Sequence, residues 1–201
     1  DGLDDDLDPA DITAVQVRTD LRHIGTFASS SSELNALHRI AVASWRANTL
    51  DIPTDCPQRE RWGYTGDFQI FARSAAYLDD IVDFGEKWLH SLADDQGADG
   101  RITNVAPNCG IEPEPLLPFS FDGSAGWGDA ATIVPWELYR AYGDSDQLAR
   151  HLPMMIRWVD YAANVAATER HVSRLASSDV PAPHERYLWD AGFHWGEWLE
   201  P

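Results

Sequence analysis

From residue 31 onward, most of the chain carries a helical pattern of apolar residues. Apolar side chains recur every three or four residues, which is the period of one face of an α-helix. Ser31 or Ser32 precedes the first such segment and predicts its N-cap, because a serine hydroxyl accepts a hydrogen bond from a free N–H of the first turn. In the same way, Asp67 predicts the cap of the second segment, and Asp79 or Asp80 that of the third.

Two longer helical segments follow a loop at residues 94–126 that is rich in glycine and proline. Loops of that length are uncommon and tend to be functional or disordered. Beyond the loop, the pattern predicts a helix from about Asp129 to Tyr142 and, after the turn YGDS, a long helix through Tyr161. Strand signals are almost absent, so the predicted fold class is all-α, with antiparallel helix pairs arranged as a toroid. The tryptophans on helical faces are predicted to lie in the core; they are Trp45, Trp88, Trp136 and Trp158.

The N-terminal residues differ from the helical part. Residues 1–11 contain six aspartates and predict a solvated linker, not a signal peptide, and Ile12 stands where a calcium loop needs glutamate. Residues 12–18 alternate apolar and polar side chains with β-branched residues, which predicts a strand, and no second strand follows to pair with it. We therefore expect residues 1–27 to be a linker and the terminal strand of another domain, with a separate helical unit at 28–201.

The charge balance excludes several classes of function. Thirty-three acidic and 15 basic side chains give a net charge of −18, and Lys87 is the sole lysine. Nucleic-acid binding and polybasic membrane contacts both need clustered lysine and arginine, so neither partner is expected. Cys56 and Cys109 lack the spacing of a zinc site, and we expect no cofactor or metal. The composition is that of a soluble globular protein, and it leaves the compartment open.

The segment at residues 51–67, DIPTDCPQRERWGYTGD, holds the densest chemistry of the chain. Two prolines and two glycines predict a shaped loop, and it concentrates carboxylates, arginines and aromatic rings. Such a set suits sugar chemistry, since a glycosidase needs an acid for the leaving oxygen, acceptors for hydroxyls and a flat face for the ring. The alternative is a simple connection in which Arg59 and Arg61 form ion pairs with Asp51 and Asp55.

The motif DCPQRERWGYTGD closely resembles the signature loop of the bacterial α-L-rhamnosidases of glycoside hydrolase family 78. GTFASSSSELNALHRI, AGWGDAATIVPWELYRAYGD and HWGEWLEP also resemble that family, so the likeness runs from about residue 12 to the end. The resemblance implies an (α/α)6 catalytic barrel preceded by β-sandwich domains. Residues 12–18 would then be the last strand of a sandwich, and residues 28–201 the first half of the barrel.

The resemblance also assigns roles to individual residues. Glu60 takes the position of the general acid. Asp55 and Asp67 match the carboxylates that bind rhamnose hydroxyls, and Arg59 matches the arginine of the site. Tyr64 stands where the family usually has tryptophan, and it keeps an aromatic wall for substrate binding. Further aromatic residues are expected to line the pocket, in decreasing order of strength: Trp127, Trp198 and Trp195.

The activity implied is hydrolysis of terminal α-L-rhamnosyl residues from glycosides or polysaccharides with inversion of configuration. In this family the general base lies in the second half of the barrel, so we expect the base outside this chain, the rest of the polypeptide as partner, and no turnover by residues 1–201 alone. Glu112, Glu114 and Glu197 are acids near the same loop end, and none is assigned as the base. Two alternatives stay open: a rhamnoside-binding or structural fragment without turnover, and an α-toroid enzyme that acts on another sugar or a uronate polymer.

Overall fold

A computed structural model of the chain describes residues 8–108, 110 and 122–195. Trp198 and the three acids Glu112, Glu114 and Glu197 lie outside these residues. The described part contains six α-helices: α1 Ser32–Ala47, α2 Thr65–Leu78, α3 Val82–Asp94, α4 Ala130–Tyr142, α5 Ser145–Thr168 and α6 Val172–Ser177. Short 3-10 helices occur at Pro9–Asp11 and Glu185–Tyr187. None of the helices in the described ranges is both long and apolar enough to cross a membrane.

The start of α1 and the pair α4 and α5 lie where the sequence predicts them. The Ser31 hydroxyl accepts a hydrogen bond from the Leu34 N–H at the start of α1. Gly143 ends α4 in the left-handed conformation, and the Asp144 carboxylate then caps α5 by accepting from two backbone N–H groups of its first turn. Because only these two residues separate α4 from α5 and the helices pack together, they form a tight helical hairpin.

The predicted cap of α2 is wrong, and of the two candidates for α3 only Asp80 lies at the helix start. Helix α2 begins at Thr65, so Asp67 lies inside its first turn, and the residue before α2 is Tyr64. Helix α3 begins at Val82 after Ile81, and the Asp80 carboxylate accepts a hydrogen bond from the Val82 N–H. Asp79 instead makes tertiary contacts.

The core lies where α4 packs against α2, α3 and α5. Trp88 of α3 and Trp158 of α5 are almost fully buried there, as is Phe68 of α2, whose ring meets the Trp88 ring edge-on at 5.0 Å. Trp45 is buried as well, whereas Trp136 is 48% exposed, so the prediction of a core position fails for that residue. Three of the four helical tryptophans therefore anchor the packing.

Asp79, which the sequence suggested as a cap, is a buried acceptor that ties three parts of the chain together. It is 2% exposed, and its two oxygens accept hydrogen bonds from Trp45 Nε1 at 2.9 Å and pair with His23 Nδ1 at 2.8 Å. The backbone of His23 also forms an isolated bridge with Asp79, and the N–H groups of residues 24 and 25 donate to the Leu78 carbonyl. These contacts hold the segment before α1 against the C-terminal end of α2.

Residues 12–18 form no strand in the described part of the chain. They belong to no regular element and are exposed, with Ile12, Val15 and Val17 between 67% and 77% exposed. A strand needs a partner for its backbone N–H and C=O groups, and this segment has none within the described residues. The assignment of residues 12–18 to a preceding β-sandwich stays a prediction, and so does the domain boundary between residues 27 and 28.

Rows of large exposed apolar side chains run along α1 and α5. On α1, Leu34, Leu37 and Ile40 are between 50% and 65% exposed, and they lie on one face at helical spacing. On α5, a second row between 48% and 55% exposed consists of Leu152, Ile156 and Val159. The described residues therefore leave two apolar helix faces open to solvent.

Asp79→Asn tests the buried acceptor. The asparagine side chain keeps one oxygen for Trp45 Nε1, but its amide nitrogen replaces the oxygen that pairs with His23 Nδ1, and the negative charge of that pair is lost. We expect a loss of about 1–3 kcal/mol in the free energy of unfolding, measured by urea denaturation. Asp160→Asn on the exposed face of α5 is the control and should change stability little. Equal stability of the two variants would show that the Asp79 contacts are not a main support of the fold.

Candidate active site

The loop between α1 and α2 closes on itself through Asp55. The Asp55 N–H donates to the Trp62 carbonyl at 3.0 Å, and the Trp62 N–H donates to Asp55 Oδ1 at 2.9 Å. Arg61, just before Trp62, has a φ of 58°, which reverses the chain in a conformation that non-glycine residues rarely adopt. The reciprocal pair fixes the intervening residues, among them Arg59 and Glu60, on one side of the loop.

A second segment supports the end of this loop. The Tyr64 and Val105 backbones form an isolated bridge, and the Ala106 N–H donates to the Gly63 carbonyl at 3.0 Å. A Cβ atom at residue 63 would lie 2.3 Å from the Ala106 carbonyl oxygen, so glycine is required there. The buried Trp88 indole donates to that same Ala106 oxygen at 3.0 Å. The position of Tyr64 is thus set by the hydrophobic core.

Glu60 lies at the centre of a hydrogen-bond group. Its Oε1 accepts from Arg59 Nε at 3.1 Å and from Arg59 Nη2 at 2.6 Å, and its Oε2 accepts from the Tyr64 hydroxyl at 2.9 Å. The Glu60 side chain is 34% exposed, and the Arg59 side chain is 80% exposed. The alternative ion pairs of Arg59 and Arg61 with Asp51 and Asp55 do not occur among the described residues. Arg59 binds Glu60, and Asp51 pairs with Lys87 at 2.5 Å.

Asp67 brings a further carboxyl group to the same place from the first turn of α2. Burial raises the pKa of Asp67 above its ordinary value, and the negative charges of Asp55 and Glu60 raise it further. Burial and the hydrogen bond to Glu60 likewise raise the pKa of the Tyr64 hydroxyl. Both shifts show that the local surroundings disfavour additional negative charge.

Trp127 forms an aromatic wall that depends on Gly66. A Cβ atom at residue 66 would lie 2.8 Å from the Trp127 ring, so only glycine lets the indole lie against the first turn of α2. The Asp129 carboxylate holds the Trp127 segment, because one oxygen accepts from the Gly126 N–H at 3.2 Å and the other from Trp158 Nε1 at 3.0 Å. The wall is therefore connected to the core of the protein.

Trp195, which the sequence ranks below Trp198, completes the wall. Its ring centroid lies 5.8 Å from that of Trp127. The Trp195 N–H donates to the Ser124 hydroxyl at 3.3 Å, and His194 Nδ1 accepts from the Ala125 N–H at 3.0 Å. The neighbouring His194 fixes the position of Trp195 through its hydrogen bond with Ala125. Because these two residues are 69 positions apart, no local pattern of the sequence shows the contact.

These side chains line one cavity of about 280 Å³. The lining residues are Asp55, Arg59, Glu60, Tyr64, Asp67, Trp127 and Trp195. The structure thus brings together every predicted site residue within its described ranges, including Trp195, the weakest of the aromatic candidates. The cavity combines carboxyl groups, a guanidinium and aromatic rings, which is the set that binds sugar hydroxyls and sugar ring faces and that can supply a proton.

A group of possible metal-ligand atoms occurs within this loop. Atoms of Asp55, Cys56 and Glu60 lie within 4.8 Å of one another. Asp55 Oδ1 accepts from Trp62, Cys56 Sγ accepts from the Glu60 N–H at 3.2 Å, and both Glu60 oxygens accept hydrogen bonds from protein donors. These contacts account for the cluster as loop structure, and Cys56 takes part as a packing residue.

The chain matches known proteins over most of its length. The sequence model of the bacterial alpha-L-rhamnosidase 6 hairpin glycosidase domain matches residues 22–201. An alpha-L-rhamnosidase of Streptomyces avermitilis is 44% identical over 136 residues, which are 67% of this chain and 12% of that protein. An alpha-L-rhamnosidase of Formosa agariphila is 37% identical over 154 residues, 76% of this chain and 16% of that protein. The chain thus spans less than a fifth of the length of these relatives.

Solved structures give the same result. The crystal structure of the Streptomyces avermitilis alpha-L-rhamnosidase complexed with L-rhamnose matches with a TM-score of 0.67 and 40% identity, over 74% of this chain and 14% of that one. The native enzyme from Aspergillus terreus matches with a TM-score of 0.64 and 35% identity, over 71% of this chain and 16% of that one. These matches confirm the predicted all-α fold class of the six-hairpin (α/α)6 toroid.

Gly66→Ala tests the support of the aromatic wall. Alanine in a helix interior normally stabilises by about 1 kcal/mol relative to glycine. Here the new methyl group meets the Trp127 ring, so we expect a loss of about 1–3 kcal/mol instead, measured by urea unfolding. The double variant Gly66→Ala/Trp127→Phe should regain part of the loss, and Ser74→Ala on the exposed face of α2 is the control. A gain of stability in Gly66→Ala would contradict the close packing.

Asp67→Asn tests whether the raised pKa of Asp67 lowers the stability of the protein at neutral pH. The pKa of Asp67 is higher in the folded protein than in the unfolded chain, so folding takes up a proton between the two values and stability falls as pH rises through this window. Asparagine does not ionise. We expect Asp67→Asn to be more stable than the wild type at pH 7 and to lose this advantage below about pH 4.

The measurement is urea denaturation at a series of pH values. Asp146→Asn is the matched control, because Asp146 is an exposed acid in the first turn of α5 and reports the loss of a first-turn negative charge alone. If the free energies of unfolding of Asp67→Asn and the wild type changed with pH in parallel, ionisation of the Asp67 carboxyl group would not destabilise the folded protein.

Proposed function

Since the chain belongs to the bacterial α-L-rhamnosidase six-hairpin glycosidase family, we propose that it carries part of the active site of an enzyme that hydrolyses terminal α-L-rhamnosyl residues. The observation that carries this proposal is the cavity in which Glu60, Asp55 and Asp67 meet the two tryptophan rings. The substrate class is a rhamnose-containing glycoside or polysaccharide. The family match and the names of the related proteins support this substrate class. The cavity supplies the carboxyl groups and aromatic rings that such a substrate needs.

Glu60 is the proposed general acid. It has the greatest reach of the three carboxylic side chains, and it lies at the rim, 34% exposed, where a leaving group can approach it. A general acid must enter the reaction protonated. Three carboxyl groups share this cavity, and like charges disfavour ionisation of all three at once. Of the three, Asp67 has a raised pKa because of burial and the charges of Asp55 and Glu60, so the cavity disfavours additional negative charge.

Asp55 and Asp67 are the proposed acceptors for the sugar hydroxyls. A carboxylate makes charge-assisted hydrogen bonds, which are stronger than those of neutral acceptors. Asp55 is held by its contact with the Trp62 N–H and Asp67 by its place in the first turn of α2. Trp127 and Trp195 supply apolar faces for the ring and for the methyl group that distinguishes a 6-deoxy sugar from a hexose.

We propose inversion of configuration as the stereochemical course. In that mechanism a second carboxylate activates a water molecule on the opposite face of the ring, roughly 6.5–9.5 Å from the acid. None of the carboxyl groups in the described ranges is assigned to this role. Asp55 and Asp67 are used as acceptors, and the resemblance places the base beyond residue 201.

Glu60→Gln in the full-length protein tests the acid. Glutamine keeps the shape of the side chain and removes the proton that it delivers. We expect a loss on the order of 10²–10⁴-fold in kcat on a rhamnoside with a poor leaving group. An activated aryl rhamnoside should lose much less, because its leaving oxygen needs little protonation. Asp55→Asn keeps the oxygen that binds Trp62 and weakens sugar binding, so both substrates should suffer alike.

The deciding quantity is the ratio of the two substrates' rates for each variant. Asp51→Asn is the matched control, since Asp51 is an acid of the same loop that pairs with Lys87 outside the cavity, and asparagine tolerates its positive φ. An equal loss on both substrates in Glu60→Gln would make Glu60 a binding residue and place the acid elsewhere.

A further inference from the structure

The two carboxyl oxygens of Glu60 have chemically different partners. Oε1 is held by two N–H groups of Arg59, and Oε2 is held by the Tyr64 hydroxyl. A guanidinium only donates hydrogen bonds, whereas a phenol hydroxyl both donates and accepts. A proton on Oε1 would face the Arg59 donors and displace them. A proton on Oε2 can instead point at the Tyr64 oxygen once the hydroxyl rotates.

We propose that Tyr64 is a positioning residue for Glu60, which makes Oε2 the oxygen that carries and delivers the proton. This inference rests on the function proposed above for Glu60. In the reaction the Glu60 Oε2–H bond breaks and the proton passes to the glycosidic oxygen, whose bond to the anomeric carbon breaks. The aglycone leaves as a neutral alcohol, and the oxygen of water binds the anomeric carbon and gives its proton to the base. Tyr64 then donates to the carboxylate that remains.

The position of Tyr64 is set by structure on three sides. Its backbone pairs with that of Val105, the next residue starts α2, and its ring lies 5.9 Å from the Trp62 ring. Burial and the neighbouring Glu60 raise the pKa of the Tyr64 hydroxyl, so the hydroxyl keeps its own proton across the range in which a carboxylic acid works. Tyr64 therefore presents a fixed hydroxyl and does not compete with Glu60 as the acid.

Tyr64→Phe in the full-length protein removes the hydroxyl and keeps the aromatic ring. We expect kcat on a rhamnoside with a poor leaving group to fall about tenfold, the usual effect of one hydrogen bond to a charged group. The kcat on the activated aryl rhamnoside should fall much less, and the affinity for L-rhamnose should be unchanged. Since the lost donor favours the ionised carboxyl group, the alkaline limb of the kcat/KM profile should move to higher pH.

Two comparisons make the result specific. Tyr77→Phe, on the exposed part of α2 and away from the cavity, is the control and should leave both rates unchanged. In the double variant Glu60→Gln/Tyr64→Phe the second change should add little to the first on the poor substrate, because Tyr64 acts through Glu60. If Tyr64 had a structural role alone, Tyr64→Phe would lower the rates on both substrates and weaken rhamnose binding. Its effect would also add fully to that of Glu60→Gln.

The proposal is overturned if Tyr64→Phe slows both substrates equally, if the alkaline limb stays in place, or if the effects of the two changes are additive. These outcomes are distinct from a failure of the proposed function. When Glu60→Gln shows the substrate difference expected of an acid and Tyr64→Phe does not, Glu60 remains the acid and the role of Tyr64 alone is wrong. When Glu60→Gln itself shows no difference, both proposals fall.

Discussion

The site depends on the pairing of the backbone around Gly63 and Tyr64 with that of Val105 and Ala106. This contact joins a loop that leaves α1 to a segment that follows α3, and the Trp88 indole holds it to the core through the Ala106 carbonyl. Helix α2 begins immediately afterwards, so its first turn has little freedom. The loop carries the polar chemistry of the site, and the packed helices supply its rigidity.

The cavity places acidic groups where a purely structural arrangement would avoid them. Asp67 lies beside two other acids, and its raised pKa reflects partial desolvation together with the negative charges of Asp55 and Glu60. Among the described residues that line the cavity, Arg59 supplies the one guanidinium, and its hydrogen bonds go to Glu60. Such concentrated like charge is unfavourable for folding and useful for recognising hydroxyl groups. The contrast with Asp79, whose carboxylate is buried but satisfied by Trp45 and His23, shows how the same side chain serves structure elsewhere.

Local patterns predict the local features well and the distant contacts poorly. The Ser31 cap, the hairpin at Gly143 and the site loop follow from neighbouring residues, and the structure has them where they are expected. The sequence misplaces Asp79 as a cap because a capping aspartate and a buried acceptor look alike until the partner helices pack. It ranks Trp195 low for a similar reason, since the contacts that bring that ring to the cavity span about 70 residues.

The packing of Trp127 on Gly66 links two positions that are 61 residues apart in the sequence. Neither residue is free to change alone, because any side chain at 66 takes the space of the indole and a smaller ring at 127 leaves a gap. Across related chains the two positions should therefore vary together during evolution. A homologue with alanine or serine at the first position should carry a smaller residue at the second, and its sugar pocket should be correspondingly wider on that side.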